Sequence, residues 1–190
     1  MSFVVTSLPG VEPISLSEAK AHLKVEVSAD DTLINALVQA AREASEEYLN
    51  LRLITQTVEQ RIDAFPTYIT NYQIFLDAQP VQSVSSIIYK NEAGDDVTLS
   101  TDQYDLDKFS ILHSVYAKSS VTWPIAIDEK NAVKLTYVVG FGDTSASVPA
   151  LIKQAMLLML THWYENRSDT VRKMPTQSEW CLDKFRKIHF

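Results

Sequence analysis

The spacing of apolar residues changes along the chain from a helical period to a strand period, and this change limits the possible folds. Between residues 33 and 48 apolar side chains recur every three or four positions. This pattern predicts an amphipathic helix that begins at Asp30 or Asp31 and ends near Asn50. From residue 52 to residue 63 apolar and polar residues alternate instead, as in a half-buried strand. The chain therefore combines a helical part with a β part.

Local signals predict the other elements. Ser15 and Glu18 have the spacing of a capping box, which predicts a short helix that ends near Val25. Pro149 predicts the start of a third helix that runs through Tyr164. Short β-prone runs predict further strands at residues 74–76, 84–89, 97–99, 104–106, 111–112 and 132–139.

The predicted third helix is apolar on nearly all sides. A helix of this kind must be covered on most of its surface. Two interpretations fit this pattern: it is the central helix of its own domain, or a neighbouring subunit completes its burial.

Length and charge bound the class of protein. The 190 residues predict a single domain over residues 1–170, with an extended arm at 1–12 and a β-rich segment at 52–140. Residues 171–190 are predicted to form a linker and a short C-terminal helix. The net charge of −7 argues against a broad nucleic-acid surface, although residues 151–190 carry seven Lys or Arg and four Asp or Glu.

The N-terminus has no pattern typical of a signal peptide, and the longest apolar run covers only residues 155–160. We therefore expect a protein that is soluble in the cytoplasm of the cell that makes it. The single cysteine, Cys181, excludes an intramolecular disulfide.

The search for chemistry yields no catalytic, cofactor or metal site. His162 and Glu165 lie one helical turn apart, but two residues supply too few ligands for a metal centre. The acidic run at residues 102–107 lacks the glycine and the closing glutamate of a calcium loop. Cys181 stands on an apolar face, where packing is the simpler role. We therefore expect a protein that is not an enzyme.

The order of segments along the chain resembles the head–tail connector family of tailed phages, also called head-completion or adaptor proteins. The resemblance covers about residues 13–170. The segments that carry it are residues 13–24 (PISLSEAKAHLK), 30–31 (DD), 41–57, in which EYLN (47–50) leads into LITQT (53–57), 65–66 (FP), 74–76 (IFL), 79–84 (QPVQSV), 133–142 (VKLTYVVGFG) and 148–167, which ends in HWYENR.

This resemblance implies an α+β fold in which a helical bundle core of three main helices carries a β-rich insertion between the second and third helices. It also implies a structural protein without a catalytic site. Such connectors form a ring beneath the portal, link the capsid to the tail, and extend a channel through which DNA passes without specific binding. The implied partners are further copies of the chain, the portal protein, and tail or stopper proteins, with no membrane. The implied location is the head–tail interface of the virion, after synthesis in the host cytoplasm.

Surface residues of the second helix, the end of the third helix and the tail are the candidates for contact with other subunits. They are Arg42, Glu43, Glu46, Glu47, Trp163, Arg167, Trp180 and Phe185.

Two other functions stay open from the sequence. A nucleic-acid-binding packaging module would use a basic face, and a metal-dependent hydrolase would use His162 and Glu165. The residues of that basic face would be Lys153, Arg167, Arg172, Lys173, Lys184, Arg186 and Lys187.

Overall fold

The computed structural model describes residues 3–67, 72–119, 121–167 and 174–186. The helices within these ranges are α1 (Leu16–Leu23), α2 (Asp31–Leu49), α3 (Ala150–Glu165) and α4 (Thr176–Asp183). The strands within the same ranges are β1 (Phe3–Ser7), β2 (Gln56–Ile62), β3 (Gln73–Phe75), β4 (Val81–Lys90), β5 (Asp96–Thr98), β6 (Tyr104–Asp107), β7 (Ser114–Ala117) and β8 (Val133–Val139).

The chain divides into two compact units. The helical unit comprises Pro9–Ile54 and Phe141–Phe190, and the β unit comprises Met1–Leu8 and Thr55–Gly140. Each unit has a separate cluster of buried apolar side chains.

The predicted fold, a helical bundle core of three main helices with an insertion, is wrong. The described residues form four helices and eight strands, and the strands make two antiparallel sheets. The chain is richer in β structure than the prediction allowed because its strands bury a core of their own. That core includes Val58, Ile87, Leu135 and Tyr137, each with no exposed side-chain surface.

The larger sheet of the β unit has five strands in the order β1-β2-β8-β4-β5, and the smaller has three in the order β3-β7-β6. The central strand β8 alternates buried and half-buried residues along its length, as expected for a strand with one face on a core. Tyr137 shows how a buried polar group of this unit is paired. The Tyr137 hydroxyl donates to Gln60 Oε1 (2.8 Å) and accepts the Ala78 N–H (3.2 Å).

In the helical unit the predicted capping box is present. The Ser15 hydroxyl accepts the Glu18 N–H, and the Glu18 carboxylate accepts the Ser15 N–H. Helix α2 ends at Leu49, and the cap residue Asn50 has a left-handed backbone conformation (φ 54°) and closes the helix through its N–H.

Helix α3 is the most apolar of the helices, and the helical unit covers about half of its apolar positions completely. Its fully buried residues are Ile152, Ala155, Met156, Met159 and Leu160. Leu157, Leu158 and Trp163 are only half-buried. The helix is thus a core element of its unit and also keeps a partly open apolar surface. Among the described residues, no helix combines the length and apolarity that a membrane crossing requires.

Candidate assembly surface

The sequence placed four candidate contact residues in the C-terminal half of α2, and the structure separates them into two pairs. Arg42 and Glu46 lie one turn apart and are only 6% and 3% exposed. The Arg42 guanidinium is 3.2 Å from the Glu46 carboxylate. Glu43 and Glu47, on the next positions, are exposed. The second pair is therefore the one available to a partner.

Arg42 and Glu46 belong to a larger group of charges, which we call the Glu46 network: Glu12, Arg42, Glu46 and Arg52. Arg42 Nε donates to Glu12 (2.8 Å), and the Arg52 guanidinium donates to Glu46 (3.1 Å). Burial alone lowers the pKa of Arg42, but the hydrogen bond to Glu12 and the nearby carboxylates raise that pKa above its ordinary value. The side chains of the network thus bind one another.

The network also reaches the exposed pair. Arg42 lies 3.5 Å from the Glu43 carboxylate, whose side chain is 58% exposed. Gln39 donates a further hydrogen bond to the same carboxylate (2.9 Å). The buried arginine therefore holds an exposed glutamate in place on the helix surface.

Trp163, in the last turn of α3, and Arg167, two residues beyond its end, are two of the predicted contact residues. Trp163 packs partly against the core of the helical unit. Arg167 stays 60% exposed, 3.4 Å from the Asp30 carboxylate and above the ring of Tyr164. The hydrogen bond from the Tyr164 hydroxyl to Asp30 raises the pKa of that tyrosine. These contacts fix an exposed cation beside a half-buried aromatic surface.

The tail supplies the last two candidates. Helix α4 buries Cys181 and Leu182 in the core of the helical unit and turns Trp180 outward, 58% exposed. Lys184 Nζ lies 4.1 Å from the centre of the Trp180 ring, a cation–π distance. Phe185 is half-buried against the same core. An exposed tryptophan on an ordered helix is typical of residues that dominate protein–protein interfaces.

A pair that the sequence did not predict fixes α4 in its place. The Tyr48 hydroxyl at the end of α2 donates to the Asp183 carboxylate (2.5 Å), and Arg186 lies 4.9 Å from the centre of the Tyr48 ring. Tyr48 and Asp183 are 135 positions apart in the sequence. No local periodicity links positions so distant, so only the fold reveals this pair.

This pair predicts a pH dependence. The hydrogen bond to Asp183 raises the pKa of Tyr48 to about 12, above the ordinary value for tyrosine. Because the pKa of Tyr48 is higher in the folded than in the unfolded chain, the interaction stabilises the fold fully below the unfolded pKa. This stabilisation is lost as the pH rises from 10 to about 12. We expect Tyr48→Phe to unfold at a lower temperature than wild type at neutral pH, with a difference that shrinks over this pH range.

Tyr164→Phe is the matched control for α4: it should not raise the labelling rate of the Cys181 thiol at neutral pH, whereas Tyr48→Phe should. Equal labelling rates in both variants would contradict the role of Tyr48.

Each described basic residue that the nucleic-acid hypothesis requires contacts another side chain of the protein. Lys153 pairs with Glu18 (2.8 Å), and Arg167, Lys184 and Arg186 lie over aromatic rings. The remaining three, Arg172, Lys173 and Lys187, fall outside the described residues.

The part of the chain that the structure describes contains no ligand cluster that the metal-dependent hydrolase hypothesis would require. The His162 ring lies near the Asn166 amide (3.4 Å). No group of three or more His, Cys, Asp or Glu residues in that part could hold a metal ion.

The β unit presents an apolar surface that the sequence did not single out. Phe109 and Ile111, in the turn between β6 and β7, are 102% and 78% exposed. Asp107 fixes this turn because its carboxylate accepts hydrogen bonds from Ser110 and from the Phe109 N–H. The same hydrogen bonds, led by the Ser110 hydroxyl, lower the pKa of Asp107. The sequence signal for this surface is the pair of apolar residues, Phe109 and Ile111, that follows the acidic run at residues 102–107.

Comparison with solved structures identifies the class of fold. The virion of the native gene transfer agent (GTA) particle contains a chain that matches with a TM-score of 0.82 at 18% identity, over 100% of this chain and 97% of that one. A chain from the neck of the empty GTA particle, computed with C6 symmetry, matches with 0.82 at 19% identity over 100% and 97%. A chain from the neck of the native GTA particle, computed with C12 symmetry, matches with 0.76 at 19% identity over 98% and 97%. The fold is thus one found in the neck of a phage-like particle.

Comparison with sequence families is more specific. The model of the head completion protein family matches residues 12–178, and the chain belongs to this family. The resemblance to head-completion proteins and head–tail connectors is confirmed, and the role of the chain is structural. A comparison with curated proteins gives no match.

Proposed function

We propose that the chain forms a ring beneath the portal, links the capsid to the tail, and extends the channel through which DNA passes. The observation that carries this proposal is the match over nearly the full chain to neck components of particles computed with C6 and C12 symmetry. A ring of about twelve copies would use heterologous contacts, in which two different surfaces of each subunit meet. The portal protein and tail or stopper proteins would bind the two ends of the ring. The virion neck would be the final location, and the host cytoplasm the place of synthesis.

The charge of the β unit supports a channel that does not bind DNA. This unit contains eleven Asp or Glu residues and six Lys or Arg residues. Because DNA binding depends on neutralising phosphates with Lys and Arg, an acidic surface lets the duplex slide. The proposed role requires no catalysis, so the chain acts as a structural protein and not as an enzyme.

The proposed contacts between subunits are the exposed and half-buried members of the predicted set: Glu43, Glu47, Trp163, Arg167, Trp180 and Phe185. Arg42 and Glu46 would act indirectly, since Arg42 holds Glu43 on the surface (3.5 Å). Trp180 is the strongest candidate because it combines a large apolar area with 58% exposure.

Assembly with the portal tests both the ring and this surface. Purified chain mixed with its portal should give rings in electron micrographs and a matching mass by native mass spectrometry. We expect Trp180→Ala to weaken assembly by at least about 30-fold, the effect of losing about 2 kcal/mol at an interface hot spot. Phe109→Ala is the matched control, since it removes an exposed aromatic residue outside the predicted set.

Several outcomes would count against the proposal. A chain that stays monomeric with portal present contradicts the ring. Rings that tolerate Trp180→Ala as well as Phe109→Ala contradict the assignment of the surface. Salt-dependent binding of the isolated chain to duplex DNA would favour the nucleic-acid function instead.

A further inference from the structure

Glu46 occupies a position that is unfavourable for a carboxylate. It lies in the last turn of α2, where the helix dipole places negative partial charge, and that turn contains no basic residue. The side chain is also only 2% exposed. A buried charge at the wrong end of a helix destabilises the fold unless other groups compensate for it. The compensating groups therefore indicate what the residue does.

Arg42, Arg52 and the backbone N–H of Leu53 all compensate for Glu46. One carboxylate oxygen accepts the backbone N–H of Leu53 (2.9 Å). The other accepts hydrogen bonds from Arg42 (3.2 Å) and Arg52 (3.1 Å). Two of these three partners, Arg52 and Leu53, belong to the segment that follows α2. The carboxylate thus binds the backbone beyond its own helix.

That segment is one of three places where the chain passes between the two units. The passages lie at residues 8–9, 54–55 and 140–141. Leu53 N–H binds Glu46, and Leu53 C=O accepts the N–H of Phe141 (3.1 Å), the first residue after the third passage. Glu12, near the first passage, binds Arg42. All these atoms belong to the helical unit, and each lies close to a point where the chain enters or leaves it.

We propose that Glu46 is a positioning residue that holds the ends of these passages in the helical unit. Through Leu53 it fixes the second passage directly and the third passage by way of Phe141. Through Arg42 it supports Glu12 beside the first. The packing of α2 against α3 is a separate contribution, because it depends on the apolar residues of the helical core. Loss of the carboxylate should therefore open the passages before the core. This inference concerns the isolated chain and does not depend on ring formation.

Amide hydrogen exchange of the isolated chain, resolved by residue, tests this inference. In Glu46→Gln we expect the amides of Leu53 and Phe141 to exchange about tenfold faster relative to the core amides of Val38 and Met156, because a charge-assisted hydrogen bond network is lost. Glu47→Gln, which neutralises the exposed neighbour, should leave these ratios unchanged.

A second variant keeps the test decisive if Glu46→Gln does not fold. Arg52→Met removes one cation while Glu46 keeps Arg42 and the Leu53 N–H, and it should raise the same two exchange rates by a smaller factor. Unchanged rates at Leu53 and Phe141 would overturn the inference. So would an equal acceleration at Val38 and Met156, because the network would then add only to global stability.

Discussion

Replacement of Leu135 by alanine is expected to lower the free energy of unfolding of the β unit by about 2–5 kcal/mol, the usual cost of truncating a buried leucine. Leu135 has no exposed surface and lies on β8, the middle strand of the five-stranded sheet. It stands between Gln60 on β2 and Ile87 on β4 in the strand register. The substitution would leave a cavity between β2 and β4. Because the hydrogen-bonded sheet is rigid, these strands cannot move in to fill it.

The tryptophans allow this effect to be measured in the β unit alone. Trp123 lies in the β unit, where it stacks on Phe65 (5.1 Å between ring centres), whereas Trp163 and Trp180 lie in the helical unit. With Trp163 and Trp180 replaced by phenylalanine, fluorescence during urea unfolding follows Trp123 only. Lys134→Ala, the neighbouring half-buried position on β8, is the control and should change stability by no more than about 0.5 kcal/mol. A similar small effect for Leu135→Ala would show that the β unit lacks an independent core.

This β core explains why the helical-bundle prediction failed. Periodicity found most of the strands, including β8, predicted at residues 132–139 and observed at Val133–Val139. It missed β7, which lies at Ser114–Ala117 and not at residues 111–112. Short strands such as β6 and β7 owe their stability to pairing with each other, and pairing is a tertiary contact that a local pattern does not contain.

Buried polar residues were a second limit of the sequence. The predicted alternation on β2 agrees with the burial of Val58, but Gln56 and Gln60 are buried on the same face. Gln60 is accommodated there because it binds the Tyr137 hydroxyl, Phe75 C=O and the Asp77 N–H. A hydropathy pattern treats glutamine as a surface residue, so these contacts become visible only in the fold.

The same limit applies to the candidate assembly surface. Helical spacing placed Arg42 and Glu46 with Glu43 and Glu47 on a solvated face of α2. The structure buries the first pair because Glu12 and Arg52, at distances of 30 and 6 residues along the chain, supply opposite charges. Partners outside the helix decide which of its charged residues face solvent, and the helix sequence alone does not name them.

Replacement of Arg42 by methionine is expected to cost about 3–5 kcal/mol of folding stability, because it removes one partner of a buried ion pair and leaves the buried Glu46 carboxylate with less compensation. The guanidinium side chain is 7% exposed and binds Glu12 (2.8 Å) and Glu46 (3.2 Å). Glu46 would keep Arg52 and the Leu53 N–H. Urea unfolding followed by circular dichroism, with the amplitude of the helical signal, measures the loss.

Glu43→Gln is the matched control, since it removes an exposed partner of the same guanidinium and should cost no more than about 1 kcal/mol. The comparison separates two roles for Arg42. A residue that only contacts another subunit leaves the stability of the isolated chain unchanged and weakens assembly. A residue that organises the interior lowers stability before any partner is present. Equal stabilities for Arg42→Met and wild type would contradict the interior role and return Arg42 to the set of surface contacts.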